Sequence, residues 1–185
     1  MDDIKQRLDH LRKFIQEPDF IESKGLSNEV NIRIFCYDPK DEMIVKHFIE
    51  QITTDTTLAC NIIKRNLYKI LLECCIDIDI LDAILEMEDS EGSDYILEQL
   101  RTAIGVNEFV GKIQYSPHRN GDVLMLTGVG DVFPFMRVHS LLEALQPHFT
   151  GVPVLVMYPG EFDGYRLKLF NKLKSNDYYR AFNIV

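Results

Sequence analysis

At 185 residues, 46% hydrophobic and 26% charged, the chain has the composition of one globular domain with a full core and is short for two. No apolar stretch approaches the roughly 20 residues of a membrane span, and the opening MDDIKQRLDH is acidic rather than a basic, apolar leader, so a cytoplasmic protein with no membrane partner is expected. The net charge of −9 is concentrated between Glu73 and Glu98, where ten acids occur with no Lys or Arg; this makes direct nucleic-acid binding unfavourable, with a short basic cluster at Lys64, Arg65 and Lys69 as the exception.

In chain order, Ile4, Leu8, Leu11 and Ile15 recur at helical spacing, and Pro18 ends that helix. Residues 19–28 read as a connector in which Phe20, Ile21 and Leu26 pin the chain, so that 1–28 packs on the body of a single domain covering 1–185. Val30–Tyr37 is strand-like. Asp38-Pro39 then opens a helix whose inward face is Ile44, Val45, Phe48, Ile49 and Ile52. A shorter, weaker strand is expected at 61–68, followed by helix. Within the acidic block, Ile76, Ile80, Leu81, Ile84 and Leu85 suggest one continuous apolar face. Further helix is expected at 94–103 and 107–115, then a loop at 116–121.

The stretch from Gly121 to Gly164 is the organising unit. Val123–Leu126 reads as a buried strand, Gly128-Val129-Gly130 as a turn and 134–146 as a helix. Val154–Tyr158 reads as a second strand, stopped by Pro159-Gly160. A short amphipathic helix at 165–172 and a last strand at 178–185 close the chain. The alternation predicts an α/β fold: a three-layer sandwich around a mostly parallel sheet of about five strands. Ligands of such sheets sit beyond the carboxyl ends of the strands, which points to residues 127–131 and 158–164.

The chemistry in these residues is sparse. The loop after the first strand has no glycine and no Gly-Lys-Ser/Thr, and Asp41 and Glu42 stand where a phosphate would lie; no such motif occurs elsewhere. Arg137 and His139 near a helix start suit anion binding or acid–base work, but two residues apart on a helix their side chains diverge, and packing is the alternative. Glu161 and Asp163 suit catalysis or metal binding, or else turn chemistry and helix capping before Leu167. Cys36, Cys60, Cys74 and Cys75 lack zinc spacing and read as free thiols. Neither an enzyme nor a cofactor is indicated. Two interaction surfaces are: the acidic segment, with Asp77, Asp82, Glu86 and Glu88, and the aromatic end, with Tyr178, Tyr179 and Arg180.

Taken together, LTGVG (Leu126–Gly130), Pro134, Arg137 and His139, Leu141-Leu142, Leu145-Gln146, YPGEFDG (Tyr158–Gly164), Leu167–Phe170 and DYYRAF (Asp177–Phe182) resemble the BrxB family of bacterial BREX phage-defence systems. Pro18-Asp19-Phe20, Gly25-Leu26 and Asn28-Glu29 are similar to that family too, so the resemblance spans nearly the whole chain. It implies a non-catalytic assembly component working beside a methyltransferase, a large ATPase and the alkaline-phosphatase-like PglZ protein, with PglZ as direct partner and other BREX components as further ones. It also implies a fold similar to a P-loop NTPase core that lacks its phosphate loop. A residual nucleotide- or anion-binding protein, hydrolytic or not, using 127–131 and 158–164 with Arg137, His139 and Tyr158, is the alternative.

Overall fold

The computed structural model describes residues 3–22, 31–163, 165–174 and 183–184. Five strands run parallel: β1 (Ile32–Tyr37), β2 (Asn61–Asn66), β3 (Asp122–Thr127), β4 (Val154–Phe162) and β7 (Asn183–Ile184). Their order in the sheet is β2-β3-β4-β1-β7, which places β4 at its centre between β3 and β1. Two short antiparallel strands, β5 (Leu167–Leu169) and β6 (Leu173–Lys174), extend the far end of β4.

Alternation of side chains sends successive residues to opposite faces, and each face has its own core. On one face Phe35, Tyr37, Val123, Met125, Leu155 and Met157 meet three helices: α1 (Ile4–Phe14), α2 (Pro18–Ile21) and α3 (Glu42–Thr54). On the other, Ile34, Cys36, Leu124, Leu126, Val154 and Val156 meet α4 (Leu67–Asp77), α6 (Ser93–Ala103), α7 (Val106–Ile113) and α9 (Val138–Leu145). The short helices α5 (Ile84–Glu91) and α8 (Val129–Val132) complete the set. The expected three-layer arrangement is therefore present. Among the described residues no helix is long and apolar enough to cross a membrane.

Local chemistry explains the helix starts. The Asp3 carboxylate accepts from the Lys5 amide at 3.3 Å, and Asn66 accepts from the Lys69 amide at 3.0 Å. The N-terminal segment is held to the sheet by buried Asn31, whose side-chain amide donates to the Phe20 carbonyl at 3.0 Å. At the amino edge, buried Asp122 accepts from Asn61 Nδ2 (2.8 Å), the Tyr115 hydroxyl (3.0 Å) and the Arg119 amide (2.9 Å), tying β2, β3 and the loop before β3 together.

Four expectations need correction. The helix expected over 134–146 shortens to α9, starting at Val138, and part of the expected turn forms the short helix α8; between them Pro134 has no N–H to donate and holds Phe133 extended (φ −70°, ψ 136°). The helix expected at 165–172 is the hairpin strand β5: Leu167 and Leu169, two apart, are buried, while Phe170 is 37% exposed. Pro159-Gly160 does not stop β4, which continues to Phe162. β4 runs beside β3 as far as Leu126 and beside β1 as far as Tyr37, opposite Pro159, and from Gly160 it pairs with β5, so Pro159 stands at the last position of the parallel ladder. The apolar face of the acidic block forms only in part: Ile80, Leu81 and Ile84 pack against the core, but α4 ends at Asp77, Asp79 turns the chain with φ 57°, and Ile76 and Leu85 are left exposed.

The three donors on Asp122 give the fold a pH signature. Burial works against its charge, but the Arg119 amide, Asn61 and Tyr115 outweigh that and hold its carboxyl below the usual value. A depressed folded pKa contributes stability that is complete well above about pH 4 and is lost as pH falls through the folded value. Asp122→Ala should cost about 1–3 kcal/mol at neutral pH in urea unfolding, with the gap to the parent narrowing below about pH 4.

Candidate functional site

All five parallel strands point their carboxyl ends the same way, and α3 and α4 leave that edge on opposite faces of the sheet. Between them lies an open cavity of about 660 Å³, floored by Tyr37, Thr127 and Met157 and walled by Ile49 and Ile70. A crevice at this edge is where open α/β sheets hold ligands.

The start of α3 is closed to an anion by the chain's own acids. Asp38 accepts from the Lys40 amide at 3.1 Å, Pro39 follows, and a 3-10 turn leads into the helix. Glu42 in the first turn of α3 accepts from the Tyr37 hydroxyl at 2.7 Å and pairs with Lys46 at 3.3 Å. Lys46 also reaches Asp131 of α8 at 3.7 Å. Burial raises the Tyr37 phenol, and its bond to Glu42 raises it further, so it remains a donor. Burial works against the Lys46 charge, but the Glu42 and Asp131 carboxylates leave its pKa above the usual value.

The loops after β3 and in β4 do meet. Gly128, Gly130, Asp131 and Pro159 line a small cavity of about 120 Å³, and Phe170 shares it. A Cβ at Gly130 would stand 2.8 Å from the Phe170 ring, which shows how tightly that ring fills the space. Gly128 adopts φ 72°, and a Cβ there would lie 2.9 Å from Asn66 Oδ1. Tyr158 is buried in the core, where burial raises its phenol. Glu161 pairs with Lys168 at 2.9 Å across the β4–β5 hairpin. Asp163 accepts from the Tyr165 and Arg166 amides at 3.0 and 2.8 Å, so it shapes a hairpin turn rather than capping a helix.

The other sequence candidates separate. Arg137 is exposed at the N-cap of α9, and His139 pairs with Glu143 at 3.2 Å one turn on; neither lines either cavity. Tyr178, Tyr179 and Arg180 lie outside the described residues. In the acidic segment, Asp77 is held by Lys112 at 2.5 Å and Glu88 accepts from the Ser93 hydroxyl at 2.6 Å, whereas Asp82 and Glu86 are exposed. On the same segment Ile76 is 59% and Leu85 75% exposed. Among the described residues no group of three His, Cys, Asp or Glu could hold a metal. Burial pushes the Cys36 and Cys60 thiols up to about 12 and about 11, away from reactivity. Residues missed from the sequence are the cations that Lys46 and Lys112 bring to the larger cavity beside Lys64, Arg65 and Lys69. They come from elements far apart in the chain, so no local pattern announces them.

Comparison with known proteins gives a consistent result. Residues 63–184 match the family model described as BREX protein BrxB. A protein of that name from Bacillus cereus (strain H3081.97) is 38% identical, across 98% of this chain and 97% of its own length. Another from Escherichia coli O9:H4 (strain HS) is 27% identical, across 98% and 92% respectively. No solved structure matches.

The hairpin that delivers Phe170 depends on Gly160, where a Cβ would lie 2.2 Å from the Lys168 carbonyl oxygen. Gly160→Ala should destabilise the protein by about 2–3 kcal/mol, read as a lower urea midpoint. Gly151→Ala, where a Cβ would meet nothing within 4 Å, should leave the midpoint in place.

Proposed function

The chain belongs to the BrxB family, and on that premise we propose that it is a non-catalytic assembly component of a BREX antiphage system, working in the cytoplasm. Its direct partner in this reading is the PglZ-like protein of the same system, with other BREX components as further partners. The observation that carries the reading is the surface of the acidic segment. Ile76, Ile78 and Leu85 are 59%, 43% and 75% exposed, within ten residues of each other and beside exposed Asp79, Asp82 and Glu86. Large apolar side chains left in water among exposed charges are what an interface core with a charged rim requires. The partner surface complementary to it is basic with an apolar centre.

A non-catalytic role fits the strand edge. The segment between β1 and α3 carries Asp38, Pro39 and Glu42 instead of a glycine-rich phosphate loop, and Glu42 stands in the first turn of α3. The likeness to a P-loop NTPase core without its phosphate loop is what the family resemblance implies, and this segment agrees with the missing loop. A ligand held by residues 127–131 and 158–164 is less well supported, because Phe170 packs close to Gly130 and leaves a cavity of only about 120 Å³ between them.

Co-expression with the PglZ-like protein, followed by size-exclusion chromatography with mass determination, tests the proposal. Co-elution at fixed stoichiometry is expected. Leu85→Asp, and separately Asp82→Lys with Glu86→Lys, should each weaken the complex at least about tenfold while leaving the thermal midpoint of the free protein unchanged. Separate elution at micromolar concentration would remove the central claim, and co-elution unaffected by these changes would move the interface off the acidic segment.

A further inference from the structure

The two helices that begin at the carboxyl edge are charged in opposite ways. The first turn of α3 carries Glu42, whereas the first turn of α4 carries no acid and is preceded by Lys64, Arg65 and Asn66. The 11-residue α4 directs its positive end at that edge, with the Lys69 amide taken by the Asn66 cap and the other first-turn N–H groups left without a partner within the helix. Five cations line the larger cavity against three acids, in a chain whose net charge is −9. Three of the five are engaged: Lys46 with Glu42, Lys64 with Glu50 at 2.6 Å and Lys112 with Asp77. Arg65 and Lys69 make no ion pair among the described residues. The Arg65 guanidinium donates only to the carbonyls of Ile113 and Lys64, at 3.4 and 3.3 Å, and lies 5.9 Å from the Tyr115 ring centre. Thr127 lines the same cavity at 6% exposure, and its hydroxyl has no hydrogen-bond partner among the described residues.

From this juxtaposition we infer that the cavity between α3 and α4 binds a small phosphate-bearing molecule. The phosphate sits against Lys64, Arg65, Lys69 and the start of α4, within reach of the Thr127 hydroxyl. The volume of about 660 Å³ exceeds what an inorganic anion needs and matches a small organic ligand. Ile49, Ile70 and Met157 offer an apolar wall for its non-phosphate part. Glu42, Glu50 and Glu73 also line the cavity and confine the favourable region to the β2–α4 side. The site shares Glu73 with the acidic segment but none of Ile76, Ile78, Asp79, Asp82, Leu85 or Glu86, so it stands or falls independently of the adaptor reading.

Isothermal titration calorimetry and thermal melting of the full chain, with ADP, inorganic pyrophosphate and a short DNA duplex as probes, test the inference. ADP should bind and raise the melting temperature, and pyrophosphate should bind more weakly, since it leaves the apolar wall unused. Lys69→Gln, at an exposed position that makes no ion pair, should weaken ADP at least about threefold, and Lys64→Gln with Lys69→Gln about tenfold or more. Asp82→Lys should leave ADP binding unchanged. The inference is overturned if neither ADP nor pyrophosphate binds at millimolar concentration, if Lys64→Gln with Lys69→Gln binds as the parent does, or if only the duplex binds, which would assign the cations to a nucleic-acid backbone.

Discussion

A sheet buried on both faces is the constraint from which the rest of this protein follows. All six residues of β3 are buried, and the alternate positions of β1 and β4 feed two separate cores. Strands of this kind have no room for functional groups along their length, because a polar side chain there would lose its water without gaining a partner. Chemistry is displaced to the strand ends. At the amino end it takes the form of the fully satisfied Asp122 network, which serves the fold. At the carboxyl end it takes the form of an open, charged crevice.

That crevice is asymmetric for a simple electrostatic reason. Helix N-termini attract negative charge, and the chain supplies its own at α3 through Glu42, bound by the Tyr37 hydroxyl and Lys46. At α4 it supplies only Asn66, a neutral cap, and surrounds it with cations. The acidic segment beyond α4 completes the division of charge. Lys112 spans the two regions, lining the crevice while pairing with Asp77. The acidic segment carries the surface proposed for a partner, and the crevice adds a second, chemically different surface to the same small molecule.

Much of the fold could be read from periodicity. The runs at 30–37, 123–126 and 154–158 are too apolar and too β-branched to be exposed, and residues 32–37, 123–126 and 154–158 lie in interior strands. The misreadings share one cause, a local pattern compatible with two structures. Leu167 and Phe170 fit a helical face, yet Leu167 and Leu169 fit a strand equally well, and the decision came from the free edge of β4 beyond β1. Likewise Ile76, Ile80, Ile84 and Leu85 keep helical spacing on paper, but the turn at Asp79 divides them between elements. For the site, the carboxyl-edge location was legible, and so was the failure of Asp38–Glu42 as a phosphate loop. The turn reading holds for Asp163 and not for Glu161, which lies within β4. The separation of Arg137 and His139 from the cavities was not legible.

The sequence by itself determined the α/β class, the parallel sheet, the family and the sign of each charged stretch, since these depend on residue type and short-range spacing. Only the tertiary structure decided which charges meet. Lys46, Lys64, Lys69 and Lys112 belong to α3, β2, α4 and α7, and they line one cavity because strand order brings α3 and α4 to opposite sides of the same edge. The same holds for Phe170, which fills the space beside Gly130 because β5 pairs with β4. Contacts between residues distant in the chain are set by the minimum of exposed apolar area over the whole molecule, and no local window contains that information.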